Sequence, residues 1–348
     1  MAEDTGRCAD LLAQILSKSL ASIELLPGDM DAWSSAGLTP EMPFLLQEGN
    51  LGVPVKLLMK LYVSASRTFP ACLIAYRTSS SITSAKPLAS ASTILILTNP
   101  AHQTALNARK RLVADSLLDP HSELELTAHI LTASKDHAKQ STLWDHRRWL
   151  LRSIYATSSD FTFRAPPPRG WSCDRSRHPS MPPAVIEREL ALALRACEMY
   201  PRNYHAWTYR HDIFETVLRM LDDENCDESQ KATLIAIVEA EVEQIVTWID
   251  RHVSDYTAVQ HLCSVVLAFG TTQASKESQQ CMHKRSIPLV DPDVLIRHAM
   301  SLLQSYPEHE TLARYLQLAL KIFPPPPELK ARTEMLLRAC GRSRQSAP

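Results

Sequence analysis

Glycine is scarce in this chain: 8 occur among 348 residues, too few for an all-β fold or a chain rich in tight turns. No run of 18 apolar residues occurs, so no transmembrane helix is expected. The start, Met1 to Gly6, lacks a basic segment followed by an apolar one, so no signal peptide is expected. The end, Arg344 to Pro348, has no cysteine four from the terminus, so no prenylation signal is expected on this chain. Neither sign of charge dominates: 37 Lys and Arg stand against 38 Asp and Glu. That balance argues against nucleic-acid binding by bulk electrostatics. Cys8, Cys72, Cys173, Cys197, Cys226, Cys263, Cys281 and Cys340 are scattered, with no Cys-x-x-Cys pair, and the 13 His include no His-Glu-x-x-His. The cysteines read as reduced thiols that fill the core, and no zinc site or other cofactor is expected on this chain.

What is present is apolar content, 45% of residues, arranged at helical spacing, which is enough for a sizeable core. Arg7 to Leu20 reads as a helix ended by Pro27 and Gly28. Residues 27 to 52 read as irregular. A helix starts at Val53 and Pro54, and Pro70 is expected to bend or break it. Residues 78 to 92 are ambiguous. Ile94 to Leu97 alone resemble a buried strand, but Asn99, Pro100 and the helical run from Thr104 to Leu112 argue for a helical context.

Two stretches organise the chain: Ala138 to Leu151, with Trp144 and Arg147, and Pro201 to Phe214, with Trp207 and Arg210. Trp and Arg three apart share one helix face. The Trp can fill the seam between two helices, and the Arg can carry its head to a neighbouring carboxylate or carbonyl. Leu106 and Arg109 keep the same spacing, and Pro100 precedes Leu106 by six residues, as Pro201 precedes Trp207. Later copies are degenerate: Val259 and Leu262 replace Trp and Arg, and Ala313 replaces the next Trp. The five anchors, Leu106, Trp144, Trp207, Val259 and Ala313, lie 38, 63, 52 and 54 residues apart. The excess over 38 falls on polar or Pro-rich insertions near 157–183, 222–230 and 270–290. The fold class expected is therefore all-α, a helical-hairpin solenoid of about five repeats over 85–340, with N-terminal helices over 1–84 and a C-terminal capping helix. The basic, Pro-rich insertion reads as a surface loop or as a docking segment for an acidic partner.

The segments around Trp144 and Trp207 resemble the protein prenyltransferase α-subunit repeat, Asn-Pro-Lys-Ser/Asn-Tyr-x-x-Trp-x-x-Arg-Arg-x-x-Leu after an amphipathic helix. The resemblance covers roughly 85 to 323. Together with Leu51-Gly52-Val53-Pro54, the divergent repeats look most like the branch called protein prenyltransferase α-subunit repeat-containing protein. The resemblance implies a crescent of hairpins that pairs with a separate β subunit. That partner would hold Zn²⁺ and the isoprenoid diphosphate, and the heterodimer would attach a geranylgeranyl or farnesyl group to a cysteine-bearing protein substrate in the cytoplasm. It also implies that Lys139 and Arg202, ahead of their helices, face the diphosphate, where a cation and a helix N-terminus stabilise developing negative charge. Tyr204 matches the family tyrosine, and Ser141 replaces it in repeat two. The same residues have a plainer reading. Trp144, Arg147, Trp207 and Arg210 are scaffold; Lys139 and Arg202 are solvated surface; Tyr204 and His205 cover a helix start or face the β subunit. His146 beside Asp145 is no base–orienter pair, because adjacent helical residues do not face each other. The alternative function is a non-catalytic adaptor that holds a peptide or protein in the same crescent.

Overall fold

The computed structural model describes residues 2–16, 18, 20–155, 180–277, 292–323 and 325–345. In chain order the elements are α1 (Ala2–Leu16), β1 (Ser22–Leu26), a 3-10 turn (Asp31–Ala36), β2 (Leu45–Gln47), β3 (Asn50–Pro54), α2 (Val55–Thr78), α3 (Ile82–Thr98), α4 (Gln103–Ala114), α5 (Pro120–Leu131), α6 (Lys135–Ala138), α7 (Ser141–Tyr155), α8 (Pro183–Met199), α9 (Tyr204–Asp222), α10 (Glu228–Arg251), α11 (Tyr256–Glu277), α12 (Pro292–Ser305), α13 (Glu310–Ile322) and α14 (Pro327–Gln345). The residues separate into two units, one of 1–180 with 191–209, the other of 181–190 with 210–348.

The chain is mostly helical, but the all-α expectation is corrected at its start. β1 pairs in parallel with β3, and β2 pairs antiparallel with β3, giving a three-stranded sheet in the order β1-β3-β2. Ile23, Leu26, Leu51 and Val53 bury the sheet's apolar side chains. Gly52 is required at its centre: a Cβ there would lie 2.7 Å from Leu26 Cδ1. The irregular reading of 27–52 holds over 27–44 apart from the 3-10 turn but fails over 45–52, because strands of three and five residues show no sustained alternation, and the β1–β3 pairing joins residues 28 apart.

Pro70 does not break α2, which runs through it to Thr78. Pro70 and Ser66 are exposed, so the ring and the carbonyl it leaves unbonded face water. The ambiguous residues become α3, opened by a capping box in which Ser81 and Ser84 satisfy each other's backbone N–H. Ile94 to Leu97 are buried on every side of that helix. The lead helices expected near 124–131 and 184–199 form as α5 and α8, and the expected capping helix forms as α14. The loop reading of 270–277 is overturned, because α11 continues to Glu277 through good helix formers such as Ala, Gln, Lys and Glu. Residues 157–179 and 278–290 of the expected insertions lie outside the described residues. Cys8, Cys197, Cys226, Cys263 and Cys340 are buried in the core.

Candidate functional site

The second helix of each hairpin starts three residues before its anchor, and the residue just ahead of it, four before the anchor, determines how. His102 Nδ1 accepts from Ala105 N at 3.1 Å. Asn203 Oδ1 accepts from Ala206 N at 3.2 Å. Asp255 Oδ1 accepts from Thr257 N at 3.2 Å. These caps satisfy N–H groups that the first helical turn leaves open. Asn203 does a second job: its Nδ2 donates to Ala138 O at 2.8 Å, the carbonyl that Trp144 Nε1 also reaches at 2.9 Å. The loop ahead of α9 is thereby tied to the loop ahead of α7.

Those two loops carry the candidate site residues. Lys139 follows Ala138, half exposed, with Nζ 2.7 Å from Asp136 Oδ1 and 5.8 Å from the Tyr200 ring centroid. The hydrogen bond to Asp136, then its charge, holds the ammonium above the ordinary lysine range and the Asp136 carboxyl below its own. Arg202 is exposed and adopts a left-handed backbone, φ 60°, unusual for a residue with a Cβ. Tyr204 opens α9 with 65% of its surface exposed and its ring edge-on to His205, centroids 5.5 Å apart. Burial first, then the Arg148 charge, lowers the His205 pKa, so the ring stays neutral near pH 7. Lys139, Arg202 and Tyr204 thus lie on adjoining loops, at the starts of α7 and α9.

The anchors are fully buried: Trp144, Trp207, Arg147 and Arg210 are each 1% exposed or less. Trp144 lies 4.9 Å from the ring of Tyr209. Each repeat arginine donates to a carbonyl of its own lead helix: Arg109 to Ala89 O, Arg147 to Leu124 O, and Arg210 to Leu190 O. Arg109 and Arg210 also form bidentate pairs with a glutamate of the following lead helix. Arg109 Nε reaches Glu123 Oε2 at 2.8 Å, with a second bond from Nη2 to Oε1. Arg210 Nε and Nη2 reach Glu241 at 2.7 and 2.6 Å. One planar fork therefore clips two successive hairpins together.

A histidine joins each pair, one residue before the repeat-arginine position. His261 Nε2 lies 2.7 Å from Glu241 Oε1. His146 Nε2 lies 3.9 Å from Glu123 Oε2, beyond hydrogen-bond reach, and neither of its ring nitrogens has a hydrogen-bond partner among the described residues. Burial would raise both glutamates, but the arginine charge and the neighbouring histidine more than offset it, leaving each carboxyl at about 2. Burial likewise lowers both histidines, against the pull of their glutamates. His146 is not Asp145's partner; Asp145 pairs with Arg148 at 3.0 Å.

Sequence reasoning missed Glu123, Glu241, His146, His261 and the second role of Asn203. A signal existed for Glu241, which sits on the apolar face formed by Leu234, Ile237, Val238, Val242 and Ile245. An acid on such a face needs a buried partner. The arginine–glutamate pairs are structural: they are buried and bonded to each other within the fold. Among the described residues no group of three or more His, Cys, Asp or Glu could hold a metal ion. Among the described residues no helix is long and apolar enough to cross a membrane.

The model for the protein prenyltransferase alpha subunit repeat matches residues 186–217, which span α8, the Asn203 cap, Trp207 and Arg210. Protein prenyltransferase alpha subunit repeat-containing protein 1 of Danio rerio is 27% identical over 294 residues, 78% of this chain and 62% of that protein. The human protein of that name is 26% identical over 78% of this chain and 66% of its own length. Geranylgeranyl transferase type-2 subunit alpha of Saccharomyces cerevisiae is 25% identical over 47% of this chain and 40% of its own. The chain thus spans a little under two thirds of the length of the repeat-containing relatives it matches. The chain thus carries a match to the protein prenyltransferase alpha subunit repeat at 186–217 and is similar over 78% of its length to proteins named for that repeat, with the Trp and Arg anchors of the matched segment buried.

Proposed function

We propose that this chain is the α-type subunit of a protein prenyltransferase. It pairs with a zinc-bearing β subunit in the cytoplasm, and the heterodimer transfers a geranylgeranyl or farnesyl group to a protein cysteine thiol. The observation that carries this reading is the intact repeat at 186–217, shared in family with a yeast protein named as a geranylgeranyl transferase subunit. The hairpins then stack as a TPR-like solenoid, each arginine fork joining one to the next.

Zinc on the partner would lower the substrate thiol's pKa and supply the thiolate nucleophile. The residues of this chain would handle the leaving group. As diphosphate departs from the allylic carbon, its oxygens gain negative charge that a nearby cation stabilises. Arg202 is exposed for this role, and Lys139 would exchange its Asp136 contact for a diphosphate oxygen. Tyr204, exposed at the α9 start, would donate a hydrogen bond.

The test is co-expression with candidate β subunits, then a prenyl-transfer assay on the purified heterodimer. Lys139→Ala and Arg202→Ala should each lower turnover about 10- to 100-fold while the heterodimer still forms. Unchanged turnover in both removes the diphosphate role; failure to pair with any β subunit removes the α-subunit reading. Lys139's existing ion pair and the replaced anchors Val259, Leu262 and Ala313 favour a second reading, a non-catalytic adaptor, which predicts peptide or protein binding without a β subunit.

A further inference from the structure

Between Glu48 and Asp115 the sequence contains no carboxylate, although the chain as a whole is nearly neutral. α2 lies within this stretch, ahead of the repeats. Its inner side is ordinary: Leu58, Leu61, Ala65, Phe69 and Tyr76 are buried, chiefly against α3. Its outer side is not an ordinary solvated face. Met59 and Val63 are each 47% exposed and Ile74 is 64% exposed. They sit at i, i+4 and i+15 on one side of the helix, about 22 Å from end to end. Lys60, Arg67 and Arg77 are exposed on the same side. None of the three forms an ion pair among the described residues, whereas Lys56 pairs with Asp29 at 3.1 Å.

Exposed aliphatic side chains in a row give up burial they could gain elsewhere. Three exposed cations on one helix face with no opposite charge beside them leave that face electropositive. Neither feature stabilises the isolated chain, and both are relieved by a ligand that is apolar on one line and acidic on its flank. We propose that the outer face of α2 is a docking surface for an acidic amphipathic helix of a partner protein. The ridge at four-residue spacing fits between the ridges of a second helix, and Lys60, Arg67 and Arg77 set its charge. A lipid surface is the poorer fit, because interfacial helices place aromatic side chains at the headgroup level, and Phe69 and Tyr76 of α2 point inward.

The experiment uses the full chain and three probes. One is a synthetic helix with leucine on one face and glutamate on the rest. The second is its twin with lysine for glutamate, and the third is vesicles rich in phosphatidylserine. The acidic helix should bind with an affinity on the order of micromolar, weakening with added salt. Arg67→Glu with Arg77→Glu should weaken it about tenfold, and Met59→Ser with Val63→Ser should weaken it as well. Because these side chains are exposed, each variant should melt as the parent does, which circular dichroism checks. The proposal is overturned if the acidic helix fails to bind, if the lysine twin binds equally, or if the variants leave binding unchanged. Capture by vesicles in place of the peptide overturns it too. So does protection of Met59 and Val63 in a purified complex with a β subunit, since the face would then belong to that interface.

Discussion

At the scale of single residues, the buried charges matter most. Arg210 and Glu241 are both within the core and satisfy each other through two bonds. Removing one partner strands the other. Glu241→Gln should cost about 3–5 kcal/mol in urea unfolding, whereas replacing both by apolar residues of similar volume should cost far less. The same groups set an acid response. Glu123 and Glu241 have folded pKa values near 2, below the ordinary 4.5, so their contribution is present above about 4.5 and disappears as pH falls toward 2. His146 and His261 are also depressed, so the unfolded chain takes up protons first, and stability begins to fall below the ordinary histidine value of 6.5. Thermal melting followed from pH 7.5 to 2 should show two successive losses. His146→Phe should remove part of the first loss and shift the Glu123 share of the second, since His146 helps hold that carboxyl down.

At the scale of elements, the loops before the second helices are the sensitive places. Asn203 caps α9 and binds the Ala138 carbonyl. Asn203→Ala should destabilise by about 2 kcal/mol, one cap and one buried hydrogen bond. Hydrogen exchange should show the loss as faster opening around 138–144 and 200–207. Arg202 next to it holds a left-handed backbone that costs roughly 1 kcal/mol for a residue with a Cβ. Arg202→Gly should therefore leave stability unchanged or raised while lowering turnover of the heterodimer, separating a binding role from a structural one. The helices themselves were legible, because Leu234, Ile237, Val238, Val242 and Ile245 repeat at the helical period. The small sheet was not, because its strands are too short to show a period, and its β1–β3 pairing is long-range.

At the scale of the whole molecule, the purified chain should carry no stoichiometric zinc, whereas a heterodimer with a β subunit should carry one equivalent, measured by atomic absorption. Zinc bound to the chain alone would contradict the division of labour proposed above.

The Trp and Arg spacing, the lead helices and the family resemblance were determined by the sequence itself, since each rests on residues within one or two helical turns. Which group answers each arginine was decided only by the tertiary structure. Glu123 lies 14 residues from Arg109, and Glu241 lies 31 from Arg210. The connections 115–119 and 223–227 are the same length, but α9 runs further past its arginine than α4 does. Glu241 lies in the middle of α10 where Glu123 lies in the first turn of α5, so spacing along the chain does not reveal the pairing. The fourth repeat illustrates the difference. Its Leu262 reads as a lost anchor, yet His261 beside it reaches Glu241 and keeps a polar link between the hairpins. Burial selects for satisfied partners in space, and the spacing of residues along the chain records only those partners that a single helix can present.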